Sequence, residues 1–240
     1  MKTLYIIDLL VELSHAFDEV FQNFLDDQAF NIPFYCIDGT HSHLNYERIL
    51  NCKPAAVLIT GSPYNFSDEL PWRSKLEDFI RECYQLNIPV LGISFGSELI
   101  AHAMGGKIEK LRSWEFGIHP VYLHEEATQH PWLEGLPTEF QTLQIHEEHI
   151  AELPSEAQNL AFSAQTPHQI FTLGSLMGVQ FPPEYTQDML HEVIKKAPQN
   201  LIEKGPFTSE KHLKAVASRW KVPPLPPLVL KNFLKAMITP

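Results

Sequence analysis

Residues 91–106 read LGISFGSELIAHAMGG, an apolar strand, a turn of small residues and a helix in immediate succession. The run from Pro89 to Ser94 has the uncharged, β-branched character of a buried strand. After Ser94 the apolar side chains fall at helical spacing and stop at Gly105 and Gly106. Between the two, Gly92 and Gly96 flank Ser94 as G-x-S-x-G. In that pattern a strand bends sharply into a helix and exposes one side chain above the C-terminal edge of a sheet. Its glycines allow a tight turn and close packing. The first helical amides, beginning with Phe95, then face the site and suit an anion or oxyanion.

Upstream, TLYIIDL (Thr3–Leu9), PFYCI (Pro33–Ile37) and AAVLIT (Ala55–Thr60) read as further buried strands. They alternate with helical patterns at Ser14–Leu25, Asn45–Asn51 and Pro71–Leu86. In the last, Trp72, Leu76, Phe79, Ile80 and Cys83 recur on one face, with Pro71 in the first turn. Strands alternating with helices imply a parallel sheet covered on both faces. Beyond Gly106 the pattern changes. Gly117–Glu125, Glu139–His146, Gln158–Ala164, His168–Gly174 and Ser175–Phe181 read as successive strands, with a tight hairpin at Leu173-Gly174-Ser175. A helix over Glu184–Lys196 packs back. It is followed by a helix at Ser209–Trp220, a proline-rich link VPPLPP (Val222–Pro227) read as a semi-rigid spacer, and a final amphipathic segment, Leu228–Met237.

With 240 residues, 44% of them hydrophobic and 20% charged, the composition is that of an ordinary globular α/β protein. A formal net charge of -11 argues against nucleic acid or an anionic membrane as partner and favours small metabolites or proteins. The N-terminal apolar run is broken by Asp8 and Glu12, unlike a signal peptide, and no uninterrupted apolar stretch is long enough to span a membrane. Cys36, Cys52 and Cys83 are scattered without metal spacing and read as buried free thiols. A cytoplasmic location is expected. The pairs His41/His43 and His146/His149 lack a convincing third ligand, so neither a metal nor a cofactor is expected.

Several segments together resemble the class I, triad-type glutamine amidotransferases, and in particular stand-alone members similar to the glutaminase domain of GMP synthase. ITGSPYNFSDELPW resembles the segment carrying that family's oxyanion glycine, here Gly61. GISFGSELIAHAMGGKI resembles its nucleophile elbow. WEFGIHPV and QIHEEHIAELPSEAQNLAFS match its middle strands, and GVQFPPEYT its closing G-x-Q-F-H-P-E motif. The resemblance implies a three-layer α/β sandwich with a mainly parallel, flavodoxin-like central sheet. It assigns residues 1–197 to an amidotransferase-like domain and leaves 198–240 as a helical C-terminal extension packed on that domain.

The departures bear on activity. Where the family has a nucleophilic cysteine this chain has Ser94, and where it has the catalytic histidine this chain has Pro182. The triad glutamate is kept as Glu184. The elbow's histidine and glutamine become Ser97 and Glu98, the latter at a position that in the family helps hold glutamine. A thiol of pKa about 8.5 ionises readily at a helix N-terminus. A serine hydroxyl needs an adjacent base, and proline cannot be one. A negative Glu98 would also repel an amino-acid carboxylate.

These features imply a pseudoenzyme that keeps a pocket for a glutamine-like ligand, lined by Gly61, Phe95, Glu98 and His146, and a surface for a synthase or regulated enzyme. Two alternatives stay open. Ser94 could act as a hydrolase nucleophile with a relocated base, His146 supported by Glu148 or Glu184. Or Ser94 could be an introduced replacement of a natural cysteine, which would leave Pro182, Ser97 and Glu98 unexplained. On the bland reading His146 lines a loop, Glu184 caps the helix it opens, and His102 lies at the surface or core edge.

Overall fold

The computed structural model describes residues 2–10, 17–195, 202 and 207–238. Within them, nine strands form one sheet of order β2-β1-β3-β4-β9-β8-β7-β5-β6. The parallel half comprises β1 (Leu4–Asp8), β2 (Phe34–Asp38), β3 (Ala56–Ile59), β4 (Val90–Ile93) and β9 (Leu176–Val179). This is the flavodoxin-like strand order, in which a ligand crevice lies outside the carboxyl ends of the strands. The strand-rich segment beyond Gly106 extends the same sheet antiparallel through β8 (Ile170–Leu173), β7 (Gln158–Phe162), β5 (Lys107–Leu123) and β6 (Glu139–Glu152).

Alternation along the parallel strands divides the core in two. Leu4, Ile6, Leu58, Leu91 and Ile93 face α1 (Phe17–Asp27) and the C-terminal α7 (Pro227–Ile238). Tyr5, Ile7, Val57, Ile59 and Val90 face α2 (Tyr46–Asn51), α3 (Arg73–Gln85) and the elbow helix α4 (Phe95–Ala103). Successive strand residues point to opposite faces, so uninterrupted apolar strands supply both layers. All five apolar positions expected on α3 are buried. The helix begins at Arg73, so Pro71 sits in the turn before it rather than in its first turn.

The middle strands are longer than their sequence pattern predicts. β5 starts ten residues early, at Lys107 rather than Gly117: Lys107, Glu109 and Lys110 are exposed, and the stretch pairs with β6 across register shifts with only Ile108 turned to the core. The hairpin at Gly174-Ser175 is present, with Leu173 paired to Leu176 and Gly174 at φ +56°. α5 spans Gln187–Lys195, and the expected start at Glu184 is corrected: Thr186 accepts from the Met189 amide, and Glu184 lies in the preceding turn. Residues 14–16 and Lys196, at the ends of two expected helices, lie outside the described residues.

The C-terminal segment is in contact with the rest. From α6 (Glu210–Ala217), Leu213 and Ala217 join Phe116, Leu143 and Leu190 in a third apolar cluster, with Trp220 packed against it. Gln187 binds the chain at Trp220 and Val222 from both ends of its side-chain amide. The link Val222–Pro227 buries Pro223 and Pro226 and ends with Pro227 at the first position of α7, so it is a packed connection rather than a free spacer. The cysteines are free, but only Cys83 is fully buried. Cys36 is half-buried and Cys52 is exposed at the C-cap of α2, contrary to the expectation of three buried thiols.

Candidate active site

The crevice beyond β3, β4 and β9 is a cavity of about 220 Å³ that gathers Gly61, Ser94, Phe95, Glu98, His146, Pro182 and Glu184 along its walls. Gly61, Ser94 and Pro182 come from the segments after β3, β4 and β9, Phe95 and Glu98 from the first turn of α4, His146 from β6, and Glu184 from the turn before Gln187–Lys195. Ser94 follows β4 at φ 50°, ψ −112°, a backbone conformation that a non-glycine residue adopts only under strain. Packing holds it there. The Ser94 amide donates to Val179 O at 2.7 Å, and its carbonyl accepts from the amides of Ser97 and Glu98 and from Ser97 Oγ at 2.6 Å. A Cβ at Gly92 would lie 2.3 Å from Gly96 O, and one at Gly96 2.4 Å from Ile59 O, so strand and helix approach too closely for any side chain. Gly61 borders Ser94: a Cβ there would stand 3.4 Å from Ser94 Cβ and 3.9 Å from its Oγ. Ser97 is buried and closes the elbow instead of lining the cavity.

The two acidic residues of interest are buried. Burial pushes Glu98 up to about 8, with Glu148 adding to the rise and the hydrogen bond from Gln180 Nε2, 3.2 Å, opposing it. The negative charge expected from the sequence is therefore absent below about pH 8. Burial likewise pushes Glu184 up to about 8, opposed by its own backbone N–H, and its Oε2 has no hydrogen-bond partner among the described residues. Glu184 is neither solvated nor the cap of a helix. Its neighbour Tyr185 is half-buried, and desolvation raises its phenol, with the Glu184 charge adding to the effect.

His146 lines the cavity, yet both ring nitrogens are engaged. Nδ1 lies 2.9 Å from the Glu148 carbonyl, and Nε2 lies 3.1 Å from both Gln144 Oε1 and Glu115 Oε2. The Glu148 carboxylate turns away, accepting the amides of Phe66 and Ser67 and so anchoring the loop after Gly61. Glu115 is the partner that sequence reading did not single out. It is 1% exposed and also accepts from Ser163 Oγ and Thr166 Oγ1 at 2.8 and 2.7 Å. Burial would raise its carboxyl, but the hydrogen bonds and charge of His146, with those two hydroxyls, lower it overall. A carboxylate between Trp114 and Phe116 was the available signal, since an acid in an apolar strand must find partners. His102 is exposed, with Nδ1 2.9 Å from Glu77 Oε1. Among the described residues no group of three His, Cys, Asp or Glu could hold a metal, and no helix is long and apolar enough to cross a membrane.

Comparison with known proteins places these features in a wider set. The family model for glutamine amidotransferase class-I matches residues 21–197. Gamma-glutamyl peptidase 4 of Arabidopsis thaliana is 30% identical over 188 residues, 74% of this chain and 72% of that protein. The glutamine-hydrolyzing GMP synthase of Thermosipho africanus is 35% identical over 143 residues, 58% of this chain but only 26% of the synthase, so the chain corresponds to a minor part of that protein. A separate glutamine-hydrolyzing GMP synthase subunit from Saccharolobus solfataricus is 32% identical over 130 residues, 53% of this chain and 66% of that protein. In fold, the crystal structure of a glutamine amidotransferase from Thermotoga maritima superposes with a TM-score of 0.75, covering 100% of this chain and 98% of that one at 19% identity.

Proposed function

The chain belongs to the class I glutamine amidotransferase family, and we propose that it is a member in which glutamine hydrolysis has been lost, a pseudoenzyme whose cleft binds a small ligand and regulates a partner. One observation carries this reading: among the described residues no hydrogen bond joins the Ser94 hydroxyl to a base. Pro182 stands two residues before Glu184 and offers no ionisable group. The cavity's imidazole, His146, has both nitrogens occupied. The hydrogen bonds at Ser94 run through its backbone. A serine without a base is a poor nucleophile, and removing one member of such a coupled unit already abolishes most of the rate. The kinship with GMP synthases supports a synthase as the partner.

The test is repair. Ammonia release from L-glutamine is measured for the unmodified chain, for Ser94→Cys alone, and for a variant combining Ser94→Cys, Pro182→His, Ser97→His and Glu98→Gln. Activity confined to the combined variant supports a sound scaffold with a disabled triad. Activity in the unmodified chain, or labelling of Ser94 by a serine-reactive fluorophosphonate, overturns the reading in favour of a serine hydrolase.

A further inference from the structure

Glu115 begins a hydrogen-bonded chain whose direction is fixed at every step. Burial works against its charge, but the contact with His146 and the hydroxyls of Thr166 and Ser163 prevail, so the carboxylate is ionised and can only accept. The side-chain amide of Gln169 therefore turns Nε2 to Glu115 Oε2 at 3.4 Å and to Ser163 Oγ at 3.2 Å, because the reverse orientation would set oxygen against carboxylate. That leaves Gln169 Oε1 to accept from Gln144 Nε2 at 3.0 Å, and Gln144 Nε2 also donates to Thr142 Oγ1 at 2.8 Å. Gln144 Oε1 must then face Nε2 of His146, 3.1 Å away, and Glu115 Oε2 stands at the same distance from that nitrogen. Both are acceptors. On the other side of the ring, Nδ1 lies 2.9 Å from a third acceptor, the Glu148 carbonyl. A neutral imidazole has a single N–H and would set a buried lone pair against an acceptor, an arrangement that buried polar groups avoid.

We infer that His146 is held in the folded chain as an imidazolium, with Nε2–H shared between Gln144 and Glu115 and Nδ1–H on the Glu148 carbonyl, and that it is a positioning residue for the loop after Gly61. Glu148 is the link. His146 pins its carbonyl, while its carboxylate accepts the amides of Phe66 and Ser67 on the loop that leaves Gly61 beside Ser94. Glu115 on β5 balances the charge. On β6 itself, burial and then the charge of His146 push the imidazole of His149 down, and the other titratable side chains along the cavity are Glu98, Glu147, Glu184 and Tyr185. An imidazolium has no lone pair with which to take a proton from Ser94. The inference thus goes beyond the loss of turnover and does not depend on it.

Heteronuclear NMR of the histidine-labelled full chain reads the ring directly. At about pH 8, where an ordinary imidazole has lost its second proton, both His146 nitrogens are expected to show the protonated signature. Glu115→Gln, whose amide can donate to Nε2, is expected to convert the ring to the neutral form protonated at Nδ1 alone. His146→Gln keeps a donor near the Nε2 position and loses the one at Nδ1, so the Phe66 and Ser67 amides are expected to exchange about tenfold faster. His146→Asn, with a donor near the Nδ1 position, is expected to keep them slow. A lone pair on either ring nitrogen of the unmodified chain overturns the inference, and so does unchanged exchange in folded His146→Gln or lost protection in folded His146→Asn. Where a variant fails to fold, the spectrum of the unmodified chain decides alone. Ammonia release from glutamine removes the pseudoenzyme reading without touching the ring's protonation, whereas a neutral ring in a chain inert toward glutamine removes this inference alone.

Discussion

Nε2 of His146 lies 3.1 Å from Oε2 of Glu115, with both side chains almost wholly buried, and this contact ties the cavity's imidazole to the protein interior. Removing one partner of a buried pair leaves the other uncompensated and typically costs about 3–5 kcal/mol. Glu115→Gln is therefore expected to lower stability by about 3 kcal/mol in denaturant melts, with part of the loss recovered when His146→Gln is added. Because the folded carboxyl of Glu115 is lowered, its contribution is present above the ordinary carboxylate range and is lost as pH falls through the folded value. Equal stability of Glu115→Gln and the parent at pH 7 would contradict the pairing.

Ser94 holds the strained backbone of the elbow at φ 50°. Glycine adopts that region freely, so Ser94→Gly is expected to raise stability by about 1 kcal/mol, while Ser94→Ala keeps the strain and gains nothing. Chemical denaturation of the two variants side by side distinguishes them, and a destabilised Ser94→Gly would show that the turn is relaxed.

Glu98 and Glu184 keep their protons in the folded chain up to about pH 8, against an ordinary value of 4.5. Between those limits the native state binds more protons than the unfolded state, so their effect is to lower stability as pH rises from about 4.5 to 8, levelling off above. The Glu98→Gln, Glu184→Gln double variant should flatten this fall, with its advantage over the parent greatest near pH 8 and vanishing near pH 4.5. Thermal melts at four pH values across that range read the slope, and an unchanged slope in the double variant would mean that neither carboxyl is desolvated.

The C-terminal segment shares its apolar cluster with Phe116 and Leu143 and bonds to Gln187, and Asn232 on α7 donates to Glu134 O at 2.8 Å. The extension is thus expected to unfold together with the sheet. A single calorimetric transition is the predicted result, with Trp220→Ala lowering stability by about 1–2 kcal/mol. Two separate transitions would mark the extension as an independent unit.

Much of the fold could be read in the chain because its strands are uninterrupted apolar runs and its helices, such as α3, bury one regular face. Where a strand is mostly exposed and charged, as at Lys107 to Lys110 with Ile108 its one apolar side chain, no alternating apolar pattern marked it. The residues around the cavity were legible through the elbow and the segment after β9. Their electrostatics were not, since the protonation of Glu98 and Glu184 follows from burial by residues distant in sequence. The Glu115–His146 contact was hidden for the same reason. Its partners Ser163, Thr166 and Gln169 come from 48 to 54 residues away, and only the folded sheet brings them together.

The most direct measurement is of Ser94-dependent ammonia release from L-glutamine, comparing the unmodified chain with Ser94→Ala under a continuous coupled assay. Loss of the base predicts indistinguishable rates for the two proteins, both at the level of the enzyme-free control. A rate in the unmodified chain that disappears in Ser94→Ala would contradict the account and make a base near Ser94 the next group to identify.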